Sequence, residues 1–317
     1  MSNHNEVWVI GTGPMSVEYE KVLTGLDVKS IFIGRGESSA KIFQQKTGIT
    51  PIVGGLKDFL SQSPKAPSHA IISVGTEGLA DQTLLLLNFG VKNILIEKPG
   101  SLYLEQLKEI SALSKSLKNN VFIAYNRRFY KSVDEAKSII SNDGGLLSFS
   151  FEFTELSHII KDLEKADGVK DNWVIDNSSH VIDLAFFIGG FPRDISTNVY
   201  RKLDWHSSGS IFIGNGLTKN NIPFSYHSNW ESPGRWNIEL MTQNYRLIFS
   251  PIEKLKIIKK GSFEIEDHIC DYSIDEKYKA GIFKQTKAFL NNSFDEHCSI
   301  DTQLKNWLLY KKIGGYK

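Results

Sequence analysis

Over the first 124 residues, short apolar runs alternate with helical patterns. Val7-Trp8-Val9-Ile10, Ser30-Ile31-Phe32-Ile33, Ile52-Val53, Ala70-Ile71-Ile72-Ser73-Val74, Ile94-Leu95-Ile96 and Val121-Phe122-Ile123-Ala124 are continuous apolar runs rather than alternating ones. That is the pattern of strands buried on both faces of a parallel sheet. Between them, helical spacing covers residues 14–23, 40–47, 56–61, 79–89 and 102–117, with a turn-rich break at 64–67. Strands separated by helices predict right-handed βαβ units and a doubly wound parallel sheet, an α/β class of fold. From residue 125 the texture changes. After a helix over 132–140, Leu147, Phe149, Phe151 and Phe153 alternate with Ser148, Ser150, Glu152 and Thr154. Period two means a strand with one buried side. Further strands are expected at 195–200, 210–213, 224–230, 236–241 and 245–249, and helices return at 278–290 and 300–313. Two domains follow: residues 1–124, and an α+β domain of residues 125–317 with an open-faced, largely antiparallel sheet. The C-terminal helices are free to pack back on the first domain.

Composition narrows the function without naming it. The 317 residues are 41% hydrophobic and 23% charged, with a net charge of +1 and no basic run. This balance excludes an electrostatic footprint for nucleic acid. No apolar run is long enough to span a bilayer, and residues 2–6 lack the basic start of a signal peptide. Cys270 and Cys298 show no metal-ligand spacing and fit a reducing compartment. The expectation is a cytoplasmic protein with no metal site and a small-molecule substrate.

The candidate chemistry begins at Gly11-Thr12-Gly13-Pro14-Met15-Ser16, directly after the first strand. A G-x-G-x-x-G-like turn between strand and helix marks dinucleotide binding. Gly11 permits the tight turn, and Gly13 lets backbone N–H groups reach a pyrophosphate at the helix N-terminus. Ser16 replaces the third glycine and is still small enough for close packing. The second strand ends at Gly34-Arg35-Gly36-Glu37-Ser38-Ser39, where an NAD-preferring site normally carries a carboxylate for the ribose 2′-hydroxyl. Arg35 suits a 2′-phosphate instead, and Ser38 or Ser39 adds donors. The expected cofactor is therefore NADP(H), with NAD(H) as the alternative. Gly75 and Thr76 sit in a second loop able to touch it.

Glu97-Lys98-Pro99 stands at the carboxyl end of the strand Ile94-Leu95-Ile96, where open parallel sheets bind their ligands. In the second domain, the stretch 180–188 is apolar nearly all round except for His180 and Asp183. At i and i+3 the two share a face, and Asp176 is near enough in sequence to reach it. Ser178 or Ser179 is the expected N-cap and Gly189 the stop. Two readings stay open: a satisfied core His–Asp pair, or a histidine oriented by a carboxylate for proton transfer.

Taken together, the GTGPMS turn, Glu97-Lys98-Pro99, Tyr125-Asn126-Arg127-Arg128-Phe129 and Asp176-Asn177-Ser178-Ser179-His180-Val181-Ile182-Asp183 resemble the glucose–fructose oxidoreductase / inositol dehydrogenase (Gfo/Idh/MocA) family in order and spacing. The resemblance covers essentially the whole chain. It implies a Rossmann domain, an open-faced sheet domain, and a nicotinamide cofactor. It also implies that Lys98 contacts the nicotinamide ribose and a substrate oxygen, with a cis bond to Pro99. His180 would exchange the proton at that oxygen, Asp176 and Asp183 would line or orient the site, and Glu97 would belong to the cofactor side. Tyr125, Arg127 and Arg128 become substrate-binding candidates, though one arginine could simply pair with a carboxylate. A sugar or sugar-nucleotide oxidoreductase acting as a homodimer or homotetramer is implied. An NAD-dependent glycosidase and a non-catalytic sensor are the alternatives. Two departures bear on the pocket: Ile175-Asp176-Asn177-Ser178-Ser179 replaces the family's Gly-rich run, and Gly75-Thr76-Glu77 replaces a Thr-Pro-Asn type sequence.

Overall fold

Continuous apolar strands need cover on both faces, and in the computed structural model, which describes residues 6–317, they receive it. The stretch 2–5, part of the signal-peptide reading, lies outside the described residues. The chain divides into two units, the first formed by the chain up to Asn126 together with Ile274–Lys305, the second by Arg127–Ser273 and Asn306–Lys317. The division is thus not one cut near residue 124. In the first unit β1 (Val7–Ile10) leads into α1 (Pro14–Gly25), β2 (Ser30–Ile33), α2 (Glu37–Thr47), α3 (Gly55–Ser61), β3 (His69–Ile72), α4 (Leu79–Phe89), β4 (Asn93–Ile96), α5 (Leu104–Leu117) and β5 (Asn120–Ile123). These five strands run parallel in the order β5-β4-β3-β1-β2. β1, β3 and β4 are buried at every position, which is why their sequences do not alternate. The expected strand at Ile52-Val53 is reduced to one parallel bridge, Ile52 to Ile33. Its chain turns away at once through Gly54 and Gly55, both at positive φ.

In the second unit, α6 (Lys131–Asn142) precedes β6 (Ser148–Phe153), the one-turn α7 (Ser157–Ile160) and α8 (Ser179–Gly189). Strands β7 (Pro192–Tyr200), β8 (Ile211–Thr218), β9 (Pro223–Asn229), β10 (Trp236–Met241), β11 (Tyr245–Phe249), β12 (Lys256–Lys259) and β13 (Glu266–Asp267) follow. Eight strands form one sheet in the order β13-β12-β11-β10-β6-β9-β8-β7, antiparallel except where β6 pairs with β9. β12 and β13 were not expected, being short and rich in charge. The period-two reading holds within β6, where Phe149, Phe151 and Phe153 are buried and Ser148, Ser150 and Glu152 are only half-buried, but it fails at both ends, where Leu147 is exposed and Thr154 is buried. Phe186 of α8 meets Phe149, Phe151 and Phe224 with ring centroids 5.8, 5.4 and 5.0 Å apart, so the apolar helix is the cover of the sheet's aromatic face.

The one-turn α9 (Ser273–Lys277), then α10 (Ile282–Leu290), β14 (Cys298–Ser299) and the start of α11 (Ile300–Gly314) return to the first unit. β14 adds antiparallel to β5, and Ile282, Phe289 and Leu290 join the core of Val9, Phe32 and Leu95. The fold is a Rossmann-like unit with a separate, mostly antiparallel sheet unit.

Candidate functional site

Strand β1 pairs with β2 on one side and β3 on the other, so chain connections leave it in opposite directions. That is the switch point where a doubly wound sheet opens a crevice beyond its strand ends. Here the first unit has a cleft of about 840 Å³ lined by Gly11, Thr12, Gly13, Pro14, Met15, Arg35, Ser38 and Gly75, among others. Gly11 has φ +123°, and a Cβ on it would fall 2.5 Å from the Ser73 carbonyl oxygen. Only glycine fits. A Cβ at Gly13 would meet nothing within 4 Å, leaving open space at the start of α1 for an anion. Ser16 is fully buried with its Oγ 2.9 Å from Ser73 Oγ, the close helix–strand packing that a small third residue permits. A nicotinamide dinucleotide fits these residues: a cradle for a diphosphate, a cleft of suitable size, and a cationic wall at Arg35.

The remaining expected cofactor residues are placed differently. Thr76 is next to the lining residues Gly75 and Glu77 but is not itself among them. Glu97 and Lys98 stand just past β4, outside the lined cleft, and the Lys98–Pro99 bond is cis. Tyr19 of α1 donates a hydrogen bond to Glu97 Oε1 at 2.8 Å. Burial raises the Glu97 carboxyl above its ordinary range, against the opposing effects of the Tyr19 hydrogen bond and the Lys98 and Lys279 charges. Burial likewise raises the Tyr19 phenol. Tyr125, an expected substrate residue, belongs to this unit and is 1% exposed. Sequence reasoning missed Gly54, Gly55 and Lys57, which also line the cleft. The Gly-Gly dipeptide after Ile52-Val53 was the available turn signal.

The second unit holds the histidine. Val174–Ser178 forms one π-helical turn running directly into α8, a distortion often found at functional sites. Ser178 stands at the expected N-cap position but does not act as a cap. Ser178 already has helical angles and makes no side-chain cap, because its hydroxyl donates to Glu155 Oε1 at 2.7 Å. Asn177 Nδ2 donates to the same carboxylate at 3.1 Å. The helix stop is Gly190, at φ +94°, and Gly189 is the last helical residue. Tyr316 accepts a hydrogen bond from the Val174 N–H at 3.0 Å, securing the other end of the π turn. Asp176 and His180 are buried, 5% and 9% exposed.

Of the two carboxylates expected to orient His180, Asp183 is engaged with other groups. Asp183 accepts from Arg128 Nε at 2.8 Å, from Arg128 Nη2 at 2.6 Å and from Asn306 Nδ2 at 3.1 Å. It is bonded to these rather than to His180. Arg128 and Asp183, both expected at the substrate, are buried against each other in bidentate geometry, a contact that ties α8 to the segment carrying Arg128. Arg127 differs: its guanidinium lies over the Trp236 ring at 4.9 Å, and that ring is 6.1 Å from the His180 imidazole. Trp236 was not singled out from sequence, since an aromatic at a strand start reads as core. Among the described residues no group of three or more His, Cys, Asp or Glu is placed to hold a metal, Cys270 and Cys298 are free thiols, and no helix is long and apolar enough to cross a membrane.

Neither a protein-family model nor a curated protein matches the sequence. Solved structures match over nearly the full chain. A dehydrogenase (MviM) from Clostridium difficile has 18% identity and a TM-score of 0.78, covering 97% of this chain and 98% of its own. An oxidoreductase from Agrobacterium radiobacter, in complex with NAD+, L-tartaric acid and magnesium, has 12% identity and a TM-score of 0.76 over 98% and 95%. UDP-N-acetylglucosamine 3-dehydrogenase (GnnA) from Acidithiobacillus ferrooxidans has 12% identity and a TM-score of 0.73 over 98% and 96%. The class defined by fold is a Rossmann-like unit joined to an antiparallel-sheet unit, and these neighbours of that class are oxidoreductases and dehydrogenases.

Proposed function

We propose that this protein is an NADP(H)-dependent oxidoreductase that acts on the CH–OH or C=O group of a carbohydrate-type substrate, a sugar or sugar nucleotide. The observation that carries the reading is the cleft at the β1/β2/β3 switch point, lined by both the bare Gly13 cradle and Arg35. When bound, the nicotinamide supplies or accepts the hydride. Lys98, at the end of β4, would place its ammonium near the reacting oxygen and stabilise developing alkoxide charge. His180, on buried α8, would exchange the proton with that oxygen. Asp176 would sit beside it on the π turn, and Glu155 would fix that turn through Asn177 and Ser178. Trp236 offers a flat apolar face for a sugar ring, with Arg127 above it for a polar or anionic substituent.

The test has two parts. Titration with NADPH and NADH, followed by quenching of tryptophan fluorescence, should show tighter NADPH binding in the wild type and loss of that preference in Arg35→Ala. Lys98→Ala and His180→Ala should each lower turnover of reducible ketosugars at saturating NADPH at least about a hundredfold, His180→Ala with NADPH affinity kept and Lys98→Ala with NADPH affinity largely kept. Full turnover in either variant would remove it from the mechanism.

A further inference from the structure

The NADP reading rests on one arginine, but the wall around it contains more. Past β2 the chain at residues 52–55 runs alongside residues 32–35. Ile52 N–H donates to the Phe32 carbonyl at 2.8 Å, Gly34 N–H to Ile52 at 2.8 Å, Gly55 N–H to Gly34 at 2.9 Å and Gly54 N–H to Arg35 at 3.4 Å. Gly55, at φ +87°, lies beneath the Arg35 stem: a Cβ there would be 3.9 Å from Arg35 Cα and Cγ. Two residues further, Lys57 lines the same cleft. Neither the Arg35 guanidinium nor the Lys57 ammonium is hydrogen-bonded or ion-paired to a carboxylate of the described residues. The acids that line the cleft, Glu77 and Asp81, come from the chain after β3, with β1 between.

Gly34 adds a second constraint. A Cβ on it would fall 2.8 Å from Thr12 Cγ2 and 2.9 Å from Thr12 Oγ1. Thr12 is not free to yield: it is 7% exposed and its hydroxyl donates to Ser39 Oγ at 3.0 Å, which donates on to the Gly36 carbonyl at 3.1 Å. Position 34 directly follows the second strand, the place from which an acidic side chain grips a free ribose 2′-hydroxyl.

We propose that Arg35 and Lys57 together form the 2′-phosphate subsite, and that the Thr12–Gly34 contact shuts out the carboxylate that would otherwise select NAD(H). The inference rests on the dinucleotide reading above and deepens it to cofactor choice. Two cations, Arg35 from the turn after β2 and Lys57 from the first turn of α3, whose chain segments are joined by backbone hydrogen bonds, present charge to a dianionic phosphate, while the glycine between strand and Arg35 is required by Thr12 rather than merely tolerated.

The experiment is the binding titration with NADPH and NADH, with thermal melts run on every variant. Lys57→Ala should weaken NADPH about tenfold, roughly 1.4 kcal/mol, leave NADH unchanged, and make NADPH binding less sensitive to salt. Equal loss for both cofactors, or none, would overturn the role of Lys57. Gly34→Asp should bind both cofactors poorly or melt early, and Thr12→Ala/Gly34→Asp should recover folding and bind NADH more tightly than NADPH. A Gly34→Asp chain that prefers NADH as strongly as the double variant would overturn the steric part. Failure of the underlying reading looks different: the wild type itself would show no preference for NADPH, and Arg35→Ala would change nothing.

Discussion

Replacing Arg128 by methionine tests the buried Arg128–Asp183 ion pair of the second unit. The Asp183 side chain is 2% exposed and that of Arg128 8%, so solvent cannot replace what is lost. Of three hydrogen bonds to the carboxylate, at 2.8, 2.6 and 3.1 Å, only the one from Asn306 would remain. Leaving a buried charge with a single amide donor costs about 3–5 kcal/mol. The guanidinium also lies 4.7 Å over the Phe187 ring, a contact the apolar methionine partly preserves. For a unit of this size each kcal/mol moves the melting midpoint by about 2–4 °C, which places the expected drop near ~10 °C. Tryptophan fluorescence during urea unfolding reports the event, because Trp173, Trp205, Trp230, Trp236 and Trp307 all stand in the second unit and Trp8 in the first. The double variant Arg128→Met/Asp183→Leu removes both charges and should recover to within about 1 kcal/mol of the wild type. A single variant that loses less than about 1 kcal/mol, or a double variant as unstable as the single, would refute the assignment of the pair to holding α8.

Two pH-dependent effects follow from buried groups. Glu97 is raised above its ordinary 4.5 by burial. The fold therefore prefers its protonated form, and that contribution is full below about pH 4.5 and lost as pH rises through the folded value. Glu97→Gln keeps an acceptor for Tyr19, so its melting temperature relative to wild type should climb from pH 4 to pH 7; a flat difference would contradict the sign. His206 is lowered from 6.5, mainly by burial. Its Nδ1 lies 2.6 Å from the Gly209 carbonyl and its Nε2 2.8 Å from the Tyr316 hydroxyl, the pattern of a neutral ring donating from Nδ1. Stability from this group is present above about pH 6.5 and lost on acidification, so His206→Gln should flatten the fall in melting temperature between pH 8 and pH 5.5.

Much was legible in the sequence because the period of an element fixes which side chains share a face. The glycine turn after β1 and the alternation of β6 identified their own structures. Arg35 was legible too, since its place after the second strand gives its position at the crevice without knowledge of anything distant. The helix start was not, because a π turn held by Glu155 and Tyr316 replaced the local serine cap that spacing suggested. Nor was the strand at Ile52-Val53, whose apolar residues look like a pairing segment but are followed by two glycines that turn the chain away.

What the sequence by itself determined was the strand–helix alternation of the first unit apart from residues 52–53, the two fold types and the glycine turn after β1, all set by steric and hydrophobic preferences acting within a few residues. Tertiary structure alone decided which arginine pairs with Asp183, fifty-five residues away, and which remains over Trp236. It also brought Lys57 into the cleft that Arg35 lines, and it returned Ile274–Lys305 to the first unit. Such choices depend on how distant segments compete for one buried partner. Nothing in the spacing of Arg127 and Arg128 distinguishes them until α8 presents a carboxylate to one and the β10 strand presents a ring to the other.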